Sequence, residues 1–236
     1  MNIALILAGG NGSRTMQDIP KQFMCVYEKP VIIYTLEALD RHPDIDGIIV
    51  SCLEGWQDIL RSYAKEAGIR KLKWVVEGGI NGQSSTRHAL DKLTEVCLED
   101  DLIVIHDAVR PNISPEIISN AVAVCRKYGS AVAAVRCAET VIQTADRLKG
   151  RVNIDRDSIM RIQTPHVFPY GKLMNAHKQA EELGITNATT ASSLLIDLGE
   201  VIYFSTGSEK NLKITTIDDL EIFKALCRVK KEEWIK

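Results

Sequence analysis

No apolar run in this chain approaches the roughly 20 residues that span a bilayer, and no charged leader ahead of a long apolar stretch is found among its 236 residues. A soluble, cytoplasmic protein is expected. An excess of one charge is also missing. Lys and Arg total 29 against 31 Asp and Glu, so no global field would draw the chain to nucleic acid or to an anionic membrane. Any phosphate binding must be local. The six cysteines, Cys25, Cys52, Cys97, Cys125, Cys137 and Cys227, form no C-x-x-C pair and mostly sit inside apolar runs, which reads as reduced core thiols. G-x-S-x-G, H-E-x-x-H and Cys/His arrangements are absent, so hydrolase nucleophile chemistry has no candidate. Repeats, linkers and low-complexity segments are lacking too.

What is present is a 45% hydrophobic chain, long enough for one full α/β core. Strand-like runs at Ile3–Leu7, Gly47–Cys52, Leu72–Val76 and Leu102–Ile105 alternate with helical periods at Val31–Leu39, Trp56–Glu66, Ser84–Val96 and Pro115–Lys127. Four β-α units in succession predict a doubly wound, mostly parallel sheet, with Ala131–Val135 as a fifth strand. From Cys137 to Met160 the rhythm breaks into short β-branched pieces around Lys149-Gly150, which predicts a hairpin leaving the body. Helices at Leu173–Glu182 and Ala191–Leu198, a strand at Val201–Ser205 and a closing helix at Ile217–Arg228 follow. The whole chain, 1–236, is read as one domain with 137–160 as a protruding arm.

In an open parallel sheet, ligands bind beyond the carboxyl ends of the strands. Four such positions are unusual here. After the first strand comes Ala8-Gly9-Gly10-Asn11-Gly12-Ser13-Arg14, which lacks the Gly-Lys-Ser/Thr ending of a Walker loop and has Thr15 where the dinucleotide fingerprint needs its third glycine. Arg14 can fork onto two phosphate oxygens, and Lys21 is a compact charge behind the stiff Pro20; a structural turn with two solvated cations is the plain alternative. Glu77-Gly78-Gly79 precedes Ser84-Ser85 at a helix start, where glycine permits close approach of a base edge or simply makes a turn. His106-Asp107 ends the fourth strand. One carboxylate with substrate phosphates and waters suffices for Mg²⁺, while a turn or cap aspartate is the alternative. Arg110 stands where it can pair with Asp107 or with a substrate, and His106 reads as packing, since nothing stands at zinc-ligand spacing from it. The fourth position is Asn211-Leu212-Lys213.

With "LAGGNGSRTMQDIPKQF", "HDAVRP", "QTPHVF" and "NLKITTIDDL" in this order over nearly the whole chain, the sequence resembles the cytidylyltransferases that act on 2-C-methyl-D-erythritol 4-phosphate or ribitol 5-phosphate. The resemblance implies a Rossmann-like nucleotidyltransferase fold whose β-arm is used in dimerisation. It implies a CTP site from Leu7, Ala8, Gly9, Gly10, Gly12, Gly79, Ser85 and Asp107, with Asp107 serving Mg²⁺ and Arg14, Lys21 and Lys213 as the catalytic cations. Arg110, Thr140, Arg156, Thr164 and Thr189 match residues that hold the polyol phosphate, Thr140 and Arg156 reaching into the neighbour's site of a homodimer.

The implied reaction moves CMP from CTP to a polyol phosphate, giving a CDP-polyol and pyrophosphate. "LAGG" and "HDAVRP" lean toward ribitol 5-phosphate; methylerythritol phosphate is the second choice, and another polyol phosphate such as a glycerol phosphate the third. A CTP-sensing homologue without turnover and an NAD-type oxidoreductase using Glu54 for the ribose are the readings from other classes. Two departures from the family pattern stand out: Gly82 where many relatives carry arginine, and Thr190 where they commonly carry aspartate.

Overall fold

The computed structural model describes residues 1–10 and 19–229. The first strand, β1 (Asn2–Ala8), ends at Gly9-Gly10, and beyond residue 18 a one-turn 3-10 helix (Lys21–Phe23) and a tight hairpin of β2 (Cys25–Val26) and β3 (Lys29–Pro30) lead into α1 (Val31–Asp40). Then come β4 (Gly47–Cys52), α2 (Gln57–Glu66), β5 (Leu72–Glu77), α3 (Gly82–Lys92), β6 (Leu102–Asp107), α4 (Pro115–Tyr128) and β7 (Ala131–Arg136). The remainder is β8 (Val141–Gln143), β9 (Val152–Ile154), β10 (Met160–Pro169), α5 (Tyr170–Glu182), α6 (Ala191–Asp197), β11 (Phe204–Thr206) and α7 (Ile217–Val229).

Seven strands form one sheet in the order β11-β7-β10-β6-β1-β4-β5. Its pairings are parallel except where β10 inserts between β6 and β7, antiparallel to both. The period of two along each strand sorts the core into two layers. Ala4, Ile6, Val50 and Val104 pack with Leu36 of α1, Leu60 of α2 and Ile118 of α4, while Ile3, Leu5, Ile49 and Ile103 pack with Leu90 of α3, Leu173 of α5 and Leu194 of α6. Strands covered on both faces read as continuous apolar runs, which is why β1, β4 and β6 were legible. A smaller cluster of Val26, Val31, Val109, Ile214 and Phe223 seats α7.

Three expectations need correction. No strand was expected at 160–169, because Pro165, Pro169 and the polar Gln163-Thr164 break the pattern; β10 nevertheless crosses the sheet, with a register shift between Ile162 and His166. The last strand lies at Phe204–Thr206 rather than 201–205. Tyr203 N–H is taken by Ser130 Oγ, and the bond from Val132 N–H to the Tyr203 carbonyl opens the ladder with β7, whose first paired residue is Phe204. The helix expected over Ser84–Val96 begins at Gly82, because Asn81 caps it, and ends at Lys92.

Within residues 137–160, β8 and β9 pair Val141 with Ile154 and Gln143 with Val152, in a ladder separate from the main sheet. Asp146 turns the hairpin by accepting from the N–H groups of Leu148 and Lys149. Three of its apolar residues are exposed, Leu148 at 90% and Ile142 and Val152 near half.

Candidate active site

The carboxyl ends of β1, β4, β5 and β6 surround a cavity of about 780 Å³. Leu7, Ala8, Gly9, Gly10, Lys21, Gly79, Ser85, Asp107, Thr189 and Lys213, all expected site residues, line it. Gly12 and Arg14, also expected there, lie outside the described residues.

Two loops touch backbone to backbone on one wall. A Cβ on Gly78 would come within 3.1 Å of Gly9 Cα and 3.2 Å of Cys52 O, so any larger residue there would push the ends of β5 and β1 apart by a few tenths of an ångström. Gly79 N–H donates to the buried Ser85 Oγ at 3.0 Å, fixing the turn against α3. Asn81 and Ser84 cap α3 reciprocally, each side chain accepting the other's main-chain N–H. Gln83 reaches across, donating to Ile185 O and accepting from Ala188 N–H, and thereby holds the segment that carries Thr189.

The opposite wall is charged. Asp107 Oδ2 accepts from Arg110 Nε at 3.1 Å and lies 3.1 Å from Lys213 Nζ, which also donates to Oδ1 at 3.2 Å. Burial works against the Asp107 carboxylate, but Lys213 and Arg110 outweigh it and hold its pKa below the ordinary range. Behind it, Thr164 Oγ1 accepts from Asp107 N–H at 3.1 Å and meets His106 Nδ1 at 2.9 Å, while His106 Nε2 lies 3.1 Å from Arg110 O. The partners fix the tautomer: Nδ1 accepts the threonine proton and Nε2–H donates to the carbonyl. Burial lowers the His106 pKa to about 4, so the ring is neutral at pH 7.

The segment bearing Lys213 is strapped to the same frame. Arg110 Nη1 donates to Asn211 O at 2.7 Å, and Asn211 Nδ2 donates to Thr164 O at 2.8 Å. Gln163 clasps Ser208 at both ends, its amide donating to Ser208 O and its oxygen accepting from Ser208 N–H.

Arg110 and Thr164 therefore depart from their expected place. Both are about nine-tenths buried and turned into this frame, and neither lines the cavity. Thr140 and Arg156 stand exposed on the arm, away from the cavity lining of their own chain, with Arg156 Nη1 donating to Ala138 O at 3.3 Å. Thr190 is explained as the N-cap of α6: its Oγ1 accepts from Ser193 N–H, a role aspartate fills equally well. At Gly82 an added Cβ would meet only Thr189 O, at 3.9 Å, so there is room for a side chain at the edge of the cavity. From the sequence Gln83 has no role, and Gln22, Gln163 and Asn211 enter only as letters of the motifs "PKQF", "QTPHVF" and "NLKITTIDDL". Each is an amide bonded to main chain of a cavity loop or its support, a role that the residue type alone does not announce.

Residues 2–228 match the family described as 2-C-methyl-D-erythritol 4-phosphate cytidylyltransferase. The chain belongs to this family. It is thus an enzyme of the cytidylyltransferase class, moving CMP from CTP. Among curated relatives, it is 41% identical to a ribitol-5-phosphate cytidylyltransferase of Lacticaseibacillus paracasei, over 98% of this chain and all of that one. It is 34% identical to a 2-C-methyl-D-erythritol 4-phosphate cytidylyltransferase of Clostridium acetobutylicum, over 97% of this chain and 98% of that one. Among solved structures, the 2-C-methyl-D-erythritol 4-phosphate cytidylyltransferase of Thermus thermophilus superposes with a TM-score of 0.77 at 25% identity, covering 97% of this chain and all of its own. Among the described residues no helix is long and apolar enough to cross a membrane.

Proposed function

We propose that this cytidylyltransferase uses ribitol 5-phosphate as acceptor and works as a homodimer. The observation that carries the chemistry is the meeting of Lys21, Asp107 and Lys213, from three distant parts of the chain, at one cavity above the glycine turn. An oxygen of the acceptor phosphate attacks the α-phosphorus of CTP in line; the bond from that phosphorus to the bridging oxygen of the β-phosphate breaks, and pyrophosphate leaves. The new negative charge is met by Lys213 and Lys21, with Arg14 as the third cation. Phosphate monoesters are largely doubly ionised at pH 7, their second pKa being about 6, so no strong general base is required. Gly79 and Ser85 face the base of CTP.

Asp107 suits a divalent ion: its carboxylate is ionised, lines the cavity and presents hard oxygens. One carboxylate plus substrate phosphates and waters suffices to hold Mg²⁺. Bound there, Mg²⁺ would neutralise phosphate charge. Lys213, the present partner of Asp107, would then turn to the α-phosphate, while Arg110 and Thr164 keep the carboxylate in place.

The preference for ribitol 5-phosphate is supported by the higher identity to the relative bearing that name. The dimer is supported by the bare apolar residues of the arm and by Thr140 and Arg156, which lie on the arm outside the cavity of their own chain. The test is pyrophosphate release from purified protein with CTP, Mg²⁺ and a panel of ribitol 5-phosphate, methylerythritol 4-phosphate and glycerol 3-phosphate. Ribitol 5-phosphate should give the highest kcat/KM. Preference for another acceptor overturns the choice of substrate, and CTP binding without any turnover overturns the enzyme.

A further inference from the structure

We infer, on the reading of this cavity as a CTP site, that Gln22 is the positioning residue that shapes the glycine loop for a triphosphate. The turn Lys21-Gln22-Phe23 sends three successive side chains in three directions. Lys21 and Gln22 both border the cavity, Phe23 is buried and stacks on Trp56 with ring centroids 4.5 Å apart, and Gln22, only 1% exposed, turns its amide onto the loop. Its Nε2 donates to Ala8 O at 2.8 Å and to Gly10 O at 3.1 Å. Both acceptors are carbonyl oxygens, so the amide nitrogen must face them, and its two hydrogens match the two acceptors.

The consequence follows from peptide geometry. In a trans peptide the carbonyl and the next N–H point in opposite directions. Gln22 engages Gly10 O and, together with the Leu53 N–H at 3.1 Å, Ala8 O, so these two carbonyls are taken up by donors of the protein, and the Gly9 N–H faces away from Ala8 O. A loop that cradles phosphates needs donors toward the ligand and acceptors away from it. At Gly10 an added Cβ would meet nothing within 4 Å among the described residues, and glycine has no side chain to hold the peptide. Gln22 supplies the restraint from outside the loop, and Phe23 anchors Gln22.

Because Gln22 adjoins Lys21, the same short turn sets both the cation and the loop it faces. Glutamate at this position would keep the shape but offer no donor when ionised, placing a carboxylate against two carbonyl oxygens. Methionine would keep the volume and remove both bonds.

The experiment measures calorimetric Kd for CTP and for inorganic tripolyphosphate, with steady-state KM for the acceptor and thermal unfolding, on wild type, Gln22→Met and Gln22→Glu. Gln22→Met should weaken CTP and tripolyphosphate alike by about tenfold, the equivalent of about one hydrogen bond, with acceptor KM within about twofold. Gln22→Glu should weaken both further. If Gln22→Glu fails to fold, Gln22→Met decides alone. Unchanged Kd values in a folded Gln22→Met protein overturn the role, as does a variant whose only change is a lower Tm. A wild type that binds neither CTP nor tripolyphosphate removes the CTP reading itself, and this role with it.

Discussion

The two halves expected to meet in one reaction are built in opposite ways. Around Asp107 every charge has a partner in its own chain: Arg110 and Lys213 on the carboxylate, Thr164 and His106 beneath it, Asn211 and Gln163 strapping the Lys213 segment. The arm at residues 137–160 has Arg156 exposed and Leu148 almost fully exposed, and its β8–β9 ladder is separate from the main sheet. A frame closed by its own bonds is preorganised before ligand arrives, as electrostatic catalysis demands. In the proposed homodimer the exposed Leu148, Ile142 and Val152 would be the residues to meet a second copy.

The sharpest way to break this contrast is at Lys213. Lys213→Ala and Lys21→Ala should each lower kcat by on the order of 10²–10³-fold, since a preorganised cation acts most on charge that grows in the transition state. CTP affinity should fall much less. Equal losses in the two would show that these lysines merely hold the nucleotide.

Next in size is the arm. Arg156→Ala should raise the KM for polyol phosphate about tenfold, the loss of one charge-assisted hydrogen bond, and leave the KM for CTP and the dimer unchanged. Leu148→Asp, by contrast, should dissociate the dimer on light scattering while CTP still binds. An unchanged acceptor KM in Arg156→Ala would remove that residue from the site.

Acid should also separate the halves. Burial lowers the pKa of His106, and likewise of His166, from 6.5 to about 4. Unfolding exposes both rings, so between pH 6.5 and 4 the unfolded chain takes up protons that the folded chain refuses, and stability falls as pH falls. Residues 137–160 contain no histidine. Urea midpoints should therefore drop across this window, and His106→Gln, which keeps one donor and one acceptor, should flatten part of the slope. A midpoint constant from pH 6.5 to 4.5 would mean that these rings are not held neutral.

How much of this was legible follows the same divide. Parallel strands buried on both faces announce themselves as apolar runs, so β4 was placed to the residue and β1 and β6 to within two residues at each end. β10 was invisible because only Val167 and Phe168 bring apolar burial to it, while Gln163, Thr164 and the buried His166 break the apolar run. At the site, motifs pointed to Asp107, Lys21 and Lys213, which line the cavity. They could not tell a residue facing ligand from one facing its neighbour: Arg110 and Thr164 carry the polarity of ligand contacts, yet their bonds run inward. Direction is set by the fold, and a motif states only identity and spacing.

The smallest predicted effect tests the departure at Thr190. If aspartate in relatives is an acceptor contact, Thr190→Asp should change the KM for polyol phosphate. The α6 geometry argues otherwise, because Thr190 Oγ1 accepts from Ser193 N–H and Ser193 Oγ accepts from Thr190 N–H, a reciprocal cap in which the side chain at 190 is already engaged. Aspartate can accept the same N–H, and its charge suits a helix N-terminus. Thr190→Asp should therefore leave stability and acceptor KM nearly unchanged. Thr190→Ala should cost about 1 kcal/mol in thermal or urea unfolding and disturb acceptor use only through the neighbouring Thr189, which lines the cavity. A severalfold change of acceptor KM in Thr190→Asp without loss of stability would move residue 190 from the helix cap to the acceptor.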